Sequence, residues 1–214
     1  MTLLMRAIVR ASDADRVRAA DLVAVRAERV AALASPRPAP PRPTEQELRE
    51  HDAITRTVHE AAPSLPSRFG DVFADERALA AALREREEAL AAQLARVGER
   101  VELTVTMRWL QARPHPTSSD QASGRAYLTA RAVRERERQQ AEQLVARFVE
   151  QLPCERAFTR QRSCPRDGIA AIVAILSTRD EVSTMRQHIS SFAERSTEIV
   201  MDVGGPLPPF SFVE

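Results

Sequence analysis

The sequence predicts an α+β protein of two domains, an α+β N-terminal domain followed by a ferredoxin-like domain with the element order βαββαβ. Three observations lead to this prediction. Residues 101–109 alternate apolar and polar side chains, which is typical of a strand with one buried face. Residues 169–176 form a continuous apolar run of central-strand length. Helical periodicity between and after these runs completes the order strand, helix, strand, strand, helix, strand.

The composition limits the classes of function that this chain can serve. Its 214 residues are enough for one large domain or two small ones, and its 43% hydrophobic content allows a real core. Aromatic residues make up only 4%, so that core must consist mostly of Leu, Val, Ile and Ala. The 31 basic and 30 acidic residues leave a formal net charge of +1. We expect no nucleic-acid partner, because a general nucleic-acid binder would show a basic excess.

The sequence also bears on compartment. No apolar run approaches the ~18 residues of a membrane span. Residues 1–6 lack the basic flank, long apolar stretch and cleavage site of a signal peptide. We therefore expect a cytoplasmic protein with no membrane partner. Cys154 and Cys164 are then expected to be free thiols.

The first domain is predicted over residues 1–98. Residues 3–9 form a short apolar run that we interpret as an edge strand, and residues 22–33 fit either a strand pair or a strand that leads into a helix. Residues 34–43 are rich in proline, which excludes a helix or a central strand and favours an extended surface loop.

Two helices are predicted to follow in this domain. Thr44 and Glu47 form a capping box that starts the first helix. The apolar face of that helix holds Leu48, His51, Ile54 and Val58. Asp75 can cap the second helix, and Gly98 can end it with a left-handed residue, which also marks the domain boundary. The apolar stripe of the second helix consists of Leu79, Leu83, Leu90, Leu94 and Val97.

The second domain is predicted over residues 99–214. Its first strand, residues 101–109, leads through a polar loop at 113–124 into a helix at 126–152. The middle of that helix, residues 134–140, is almost wholly polar and is expected to be exposed. A weaker strand is predicted at 155–162, before the central strand at 169–176.

The last helix and strand complete the domain. Thr178 and Glu181 fit a second capping box. The helix that follows is predicted to bury Val182, Met185, Ile189 and Phe192. Residues 197–203 alternate again as a strand, and Gly204 with Gly205 is expected to end it.

Motifs that would carry chemistry are missing from the sequence. It contains no GxGxxG, GxxxxGK[ST], GxSxG or HExxH pattern. His51 and Asp52 point about 100° apart on a helix and form no dyad, so we interpret His51 as a partly buried histidine with a local partner. The set Cys154, Cys164 and His188 matches no common zinc spacing. We predict no enzyme activity, no cofactor and no metal.

Two segments nevertheless point to a specific role. The first, residues 65–73, contains Arg68, Phe69 and Gly70; as a plain turn it would have Gly70 at positive φ and Arg68 capping carbonyls. The second, residues 204–214, is stiff and apolar, whereas most free termini are polar and frayed. It either packs back on its own domain or docks on a partner, with both phenylalanines on one face if it is extended. Its distinguishing residues are Pro206, Pro208, Pro209, Phe210 and Phe212.

These two segments resemble the GvpF/GvpL family of gas vesicle proteins. Residues 205–212 resemble the G-P-W-P-P-Y-S-F segment of the family, with Leu207 in place of Trp and Phe210 in place of Tyr. Residues 65–70 resemble its L-P-M-R-F-G segment, with Ser67 in place of Met. Further similarities, in the order of the family, are His51, residues 101–103, Gly124, Tyr127 and Leu128.

The resemblance implies a fold and a function. It implies an α+β N-terminal domain and a modified ferredoxin-like C-terminal domain. It also implies association with gas vesicles, binding to the small hydrophobic shell protein GvpA and contacts with other gas vesicle accessory proteins. Members are thought to limit aggregation of GvpA during nucleation or to join the shell as minor components, without catalytic residues or a cofactor. The alternative is a non-catalytic interaction module repurposed outside vesicle assembly.

Overall fold

The computed structural model describes residues 1–17, 21–110, 124–155, 158–163 and 168–213. The chain divides into two compact units, one of Met1–Val101 with Leu207–Glu214 and one of Glu102–Pro206. The predicted boundary near Gly98 lies a few residues before this division, and the tail that was assigned to the second domain groups with the first unit. That either unit folds alone stays a prediction.

The first unit is built on a sheet with the strand order β2-β3-β1-β4, in which β5 also pairs with β1. Its strands pack against helices, which gives the predicted α+β class. The strands are β1 (Thr2–Arg10), β2 (Val23–Arg26), β3 (Val30–Arg37), β4 (Ser64–Pro66) and β5 (Val72–Phe73).

The position of β1 differs from the sequence prediction. Residues 3–9 were expected to form an edge strand, but β1 lies inside the sheet, with β3 along one side and β4 and β5 along the other. The edge assignment was wrong because the covering strands come from residues 64–73. No local pattern in residues 3–9 reveals a partner so distant in the chain.

The structure also gives the outcome of the predictions for residues 22–33 and 34–43. Residues 22–33 contribute a strand pair, β2 and β3, which is the first of the two alternatives. The predicted loop at 34–43 was wrong at its start, because β3 continues to Arg37. Proline fits there since β2 pairs only as far as Ala34, opposite Val23. Pro36 pairs with Leu3 of β1 on the other side, so the N–H that it lacks falls on an unpaired side of the strand.

The first helix, α1, spans Glu45–Ala61 and begins as predicted. The Thr44 Oγ1 accepts a hydrogen bond from the Glu47 N–H at 3.3 Å. Only this half of the capping box forms, because the Glu47 carboxylate pairs instead with the guanidinium of Arg37. His51 and Val58 are buried as expected, whereas Leu48 is 45% exposed and does not join the core.

The second predicted helix is two helices, α2 (Glu76–Glu85) and α3 (Glu87–Val97), divided at Arg86. Asp75 caps α2, since its Oδ1 accepts from the Ala78 N–H at 2.8 Å. Gly98 follows α3 with φ +56°, a positive φ as predicted, but its ψ of −140° lies outside the left-handed helical region. The sequence does not reveal the break at Arg86, because the apolar residues keep the spacing of one continuous helix on both sides of it. All five residues of the predicted stripe are buried: Leu79, Leu83, Leu90, Leu94 and Val97.

The second unit has the strand order of a ferredoxin-like domain. Its sheet runs β7-β8-β6-β9, which places the first strand of the unit between the third and the fourth. The predicted order of elements is confirmed. The elements are β6 (Val101–Trp109), α4 (Gly124–Glu150), β7 (Thr159–Ser163), β8 (Ile169–Ser177), α5 (Val182–Arg195) and β9 (Ile199–Leu207).

An aliphatic core with two phenylalanines fills this unit. Phe148 of α4 and Phe192 of α5 meet edge to face, with ring centroids 5.1 Å apart. The two helices thereby pack on the same side of the sheet. The aliphatic residues buried around the rings include Leu103, Val105, Met107, Leu144, Val173, Ile175, Met185, Ile189 and Ile199.

One local prediction in this unit, the exposure of residues 134–140, fails at a single residue, and two others were wrong. Glu137 lies in the stretch expected to be exposed, yet it is buried, because it falls four residues before the buried Ala141 on the inner face of α4. Thr178 does not cap a helix: its hydroxyl donates to the Glu181 carboxylate at 2.7 Å, and α5 begins only at Val182. The strand β9 does not stop at the glycine pair but continues to Leu207.

Some predictions fall outside the described residues. They include most of the loop at 113–124, with His115, and the thiol Cys164. Cys154 is a half-buried free thiol, and burial raises its pKa. In the described part of the chain, no helix is long and apolar enough to cross a membrane.

Candidate interaction site around a buried arginine

The candidate site begins with an irregularity in β1. The register of β1 against β3 shifts between Met5 and Ala7, so Arg6 is an extra residue without a partner opposite it. Such a bulge changes the direction of a side chain, and Arg6 is fully buried, at 0% exposed. The sequence analysis missed this residue, although one arginine inside an apolar run was a usable signal.

The buried guanidinium of Arg6 has three side-chain partners. Its Nε donates to the Ser35 Oγ at 2.9 Å, its Nη1 to the His51 Nδ1 at 3.2 Å and its Nη2 to the Glu50 Oε1 at 3.0 Å. Burial lowers the pKa of Arg6, and the nearby Glu50 carboxylate opposes that effect. Arginine stays charged in proteins, so the cluster contains a compensated buried cation.

His51 connects this cation to the segment singled out in the sequence. Because arginine has only donors, the His51 Nδ1 must accept, and the proton lies on Nε2. That Nε2 donates to the Ser67 carbonyl at 3.1 Å. Burial lowers the pKa of His51, and the charge of Arg6 lowers it further. His51 is thus a neutral, buried histidine with local partners, as expected from the sequence.

Residues 67–71 form a turn, which we call the RFG turn. Its ends are fastened to both sides of the bulge: the Ser67 N–H donates to the Arg6 carbonyl at 3.0 Å, and the Met5 N–H donates to the Asp71 carbonyl at 2.9 Å. The Asp71 carboxylate closes the turn by accepting from the Arg68 N–H at 3.1 Å. The bulge and the turn therefore fix each other.

The three named residues of the turn have different surroundings. Gly70 adopts φ +99° with open space around it, so glycine is needed there for its conformation and not for lack of room. Phe69 is half-buried and meets the His51 ring edge to face at 5.6 Å. Arg68 is exposed, and its side chain bonds to none of the described residues, so the expected capping of carbonyls by Arg68 was wrong.

A second layer of charges surrounds the cluster. Glu50 accepts from Arg6 and lies 3.4 Å from the Nη1 of Arg37, which in turn pairs with Glu47. Arg37 comes from β3 and both glutamates from the start of α1. This layer holds the helix on the sheet beside the RFG turn.

The tail segment, residues 206–213, lies elsewhere. After β9, Pro208 and Pro209 are buried, and a 3₁₀ turn spans Phe210–Phe212. Because the chain turns there, the two phenylalanines do not share a face: Phe212 is 0% exposed and Phe210 is 39% exposed. Of the two alternatives for the tail, packing on the same chain is the one observed.

The tail is anchored to the first unit through α3. The Arg96 Nη2 donates to the Phe212 carbonyl at 3.0 Å, and Phe212 itself is buried. Pro206, in contrast, is exposed at the end of the second unit. The predicted site residues therefore form two separate places, the RFG turn and the tail segment.

Just before the tail segment, the backbone at Gly205 lies in close contact with the backbone of β6. Gly205 has φ +104°, and a Cβ at that position would lie 2.5 Å from the Glu102 carbonyl oxygen. Real Cβ atoms do not approach so closely, so only glycine fits. The pair that was expected to break the strand instead allows β9 to lie against β6.

No metal centre is evident among the described residues. Among them, no cluster of three or more His, Cys, Asp or Glu side chains could hold a metal ion. The polar residues of the Arg6 cluster instead bond to one another. This arrangement can hold a surface turn in one shape.

The fold is shared with two solved structures of gas vesicle proteins. GvpF from Anabaena sp. PCC7120 matches with a TM-score of 0.77 and 14% identity, over 100% of this chain and 96% of that one. GvpF from Microcystis aeruginosa matches with a TM-score of 0.72 and 14% identity, over 99% and 98%.

The sequence comparisons give the family. The family model for gas vesicle synthesis protein GvpL/GvpF matches residues 7–214, and the chain belongs to this family. Gas vesicle protein F from Streptomyces sp. (strain CB03234) is 30% identical over 202 residues, which cover 86% of this chain and 84% of that protein. The resemblance stated from the two motif segments is confirmed.

Proposed function

We propose that this gas vesicle protein binds the hydrophobic shell protein GvpA, limiting its aggregation during nucleation or joining the shell as a minor component. It acts at gas vesicles in the cytoplasm, and other gas vesicle accessory proteins are further partners. It does so as a binding protein, without catalysis. A shell protein that faces gas exposes apolar surface and strand edges, and both aggregate in water unless a partner covers them.

One observation carries this proposal: the RFG turn is rigidly held, yet it presents Arg68 to solvent. A buried ion pair is weak evidence for stability, because the cost of desolvation offsets the attraction between the charges. We therefore assign the Arg6 cluster to fixing the shape of the turn. An exposed arginine on a turn whose backbone is held, next in the chain to a half-buried phenylalanine, suits a protein contact, in which arginine and aromatic residues are enriched.

Co-expression with GvpA tests the proposal. We expect the wild-type chain to keep GvpA soluble and to retain it in a pull-down. Arg68→Ala should reduce the bound fraction about tenfold, since a hydrogen bond to a charged group is worth about 1.5–3 kcal/mol. Arg77→Ala, which removes an exposed arginine from α2, is the matched control and should bind normally.

The outcomes separate the candidate functions. If Arg68→Ala and Arg77→Ala both bind GvpA as well as the wild type does, Arg68 is not part of the contact. No binding of GvpA by the wild type would reject the proposal and favour an interaction module outside vesicle assembly. Circular dichroism of each variant would show that the fold is unchanged.

A further inference from the structure

The outward-facing backbone groups of β9 can be identified from the bonds at its ends. β9 lies at one edge of the second sheet, beside β6. The Leu110 N–H donates to the Glu198 carbonyl at 2.8 Å, so Glu198 faces β6. Bonding direction alternates along an antiparallel strand, so even-numbered residues face β6 and odd-numbered residues face outward. The outward residues before the glycine pair are Ile199, Met201 and Val203.

Two further bonds agree with this alternation. The Trp109 N–H, next to Leu110, turns the other way and donates to the Gly168 carbonyl at 2.9 Å. At the far end of β9, the carbonyl of the odd-numbered Gly205 accepts from the Arg186 guanidinium of α5. That side chain closes the edge at Gly205. Within the described part of the chain, no strand pairs with the three outward residues before it.

The other sheet edges in the described part of the chain are shorter or better protected. β7 has five residues, among them Arg160 and Arg162, and charged residues discourage strand addition. β2 has four residues, and its Arg26 folds back to the Ala11 carbonyl and to Asp15, both at 2.6 Å. β4 and β5 have three and two residues. β9 has nine.

The side chains along β9 indicate what chemistry would fit beside it. Its single charged residue, Asp202, is paired with Arg108 of β6 at 3.2 Å. Val200 is exposed, at 46%, on the face away from the helices. Met201 and Val203 are half-buried against the core on the other face. The edge is therefore apolar, and its one charge is already neutralised.

We propose that the edge of β9 from Ile199 to Val203 binds an extended, uncharged, apolar strand of a partner chain by strand addition. Backbone hydrogen bonds to the outward groups supply affinity, and the apolar flanks exclude charged segments. This assignment rests on the proposed function, since a hydrophobic shell protein is the partner with that chemistry. It names the place on the second unit where such a protein would pair.

Proline substitution tests the edge without disturbing the sheet. Val203→Pro removes one outward N–H and leaves the ladder to β6 intact, because proline is tolerated on an open edge. Val203→Ala is the matched control, since it shortens the side chain and keeps the N–H. With GvpA as the probe, we expect Val203→Pro to weaken binding at least tenfold and Val203→Ala less than threefold.

A second pair of variants covers the case in which Val203→Pro does not fold. Val200→Lys places a charge beside the edge at an exposed position, and Gln161→Lys places one on the exposed β7 edge. We expect only Val200→Lys to weaken binding of GvpA. Equal effects of the two lysines would overturn the assignment.

Amide hydrogen exchange separates this inference from the proposed function. On binding GvpA, the amides of Ile199, Met201 and Val203 should become protected, whereas those of Val200 and Asp202 are already protected by β6. Binding without this protection would overturn the edge assignment and leave the proposed function standing. No binding at all would reject both. Protection that appears in the chain alone and grows with its concentration would assign the edge to a second copy, against the proposal.

Discussion

The largest fully buried side chain in the described structure is Arg6 of the first unit, whereas the second unit is centred on Phe148 and its contact with Phe192. Arg6 is held by directional bonds to Ser35, His51 and Glu50, each of which needs its donor. The phenylalanines are held by shape and area. A centre of the first kind fixes a nearby surface turn, and a centre of the second kind fixes only the packing of helices on a sheet.

The comparison predicts that the polar centre tolerates substitution less well. Arg6→Ala should lower the free energy of unfolding by about 4 kcal/mol, because it leaves a cavity and removes the donor to the buried Ser35 and His51. Arg6→Met should recover only part of this, since His51 and Ser35 stay without a donor. Phe148→Leu, a similar exchange of shape in the apolar core, should cost about 1.5 kcal/mol.

Urea unfolding measures these differences unit by unit. Trp109, the single tryptophan, reports on the second unit by fluorescence, and hydrogen exchange of β3 amides reports on the first. If Arg6→Met were as stable as the wild type, the cluster would be dispensable for folding. The RFG turn would then need another explanation for its shape.

The tail segment extends the comparison between polar and apolar centres, because it adds the buried ring of Phe212 to the first unit. Phe212→Ala should destabilise the protein by about 3 kcal/mol, the low end for a buried phenylalanine. Phe210→Ala, at the more exposed ring, should change stability by less than about 1 kcal/mol. Thermal melting of the two single variants checks this. Equal losses would mean that both rings are anchors, as an extended tail would have required.

The last expected effect is a dependence of stability on pH. The pKa of His51 is lowered from 6.5 in the folded state, so the unfolded chain takes up a proton at a higher pH than the folded chain does. The stabilisation is fully present above about pH 6.5 and is lost as pH falls toward the folded pKa, by about 1.4 kcal/mol per pH unit at most. Arg6 disfavours the proton on His51, while Asp71 and Asp52 favour it.

Urea titrations between pH 7.5 and pH 5 would measure this slope. His51→Gln should flatten it, because the titrating group is gone. His188→Gln, at an exposed position on α5, should leave it unchanged. A wild-type slope that survives in His51→Gln would assign the dependence to another group.

The sequence was informative wherever a rule acts within one element. Thr44 and Asp75 cap helices because a side-chain oxygen meets an N–H three residues ahead; the Asp75 cap was confirmed, and of the capping box only the Thr44 half forms. The alternation over Val101–Trp109 predicted the strand β6 with its bounds, since burial of one face imposes a period of two. The structure shows that the two predicted site segments lie apart, and their role in binding stays a prediction.

The tertiary structure decided whatever depends on residues far apart in the chain. β1 became a central strand because residues 64–66 pair with residues 7–9, and Arg6 became buried because the bulge sets it beside α1. Gly205 sits in a strand, and not at its end, because the Glu102 carbonyl leaves no room for a Cβ. A local pattern records which side of an element is apolar. It does not record which distant strand, carbonyl or carboxylate will cover that side, so the sequence determined most of the elements and their order, and the packing determined the site.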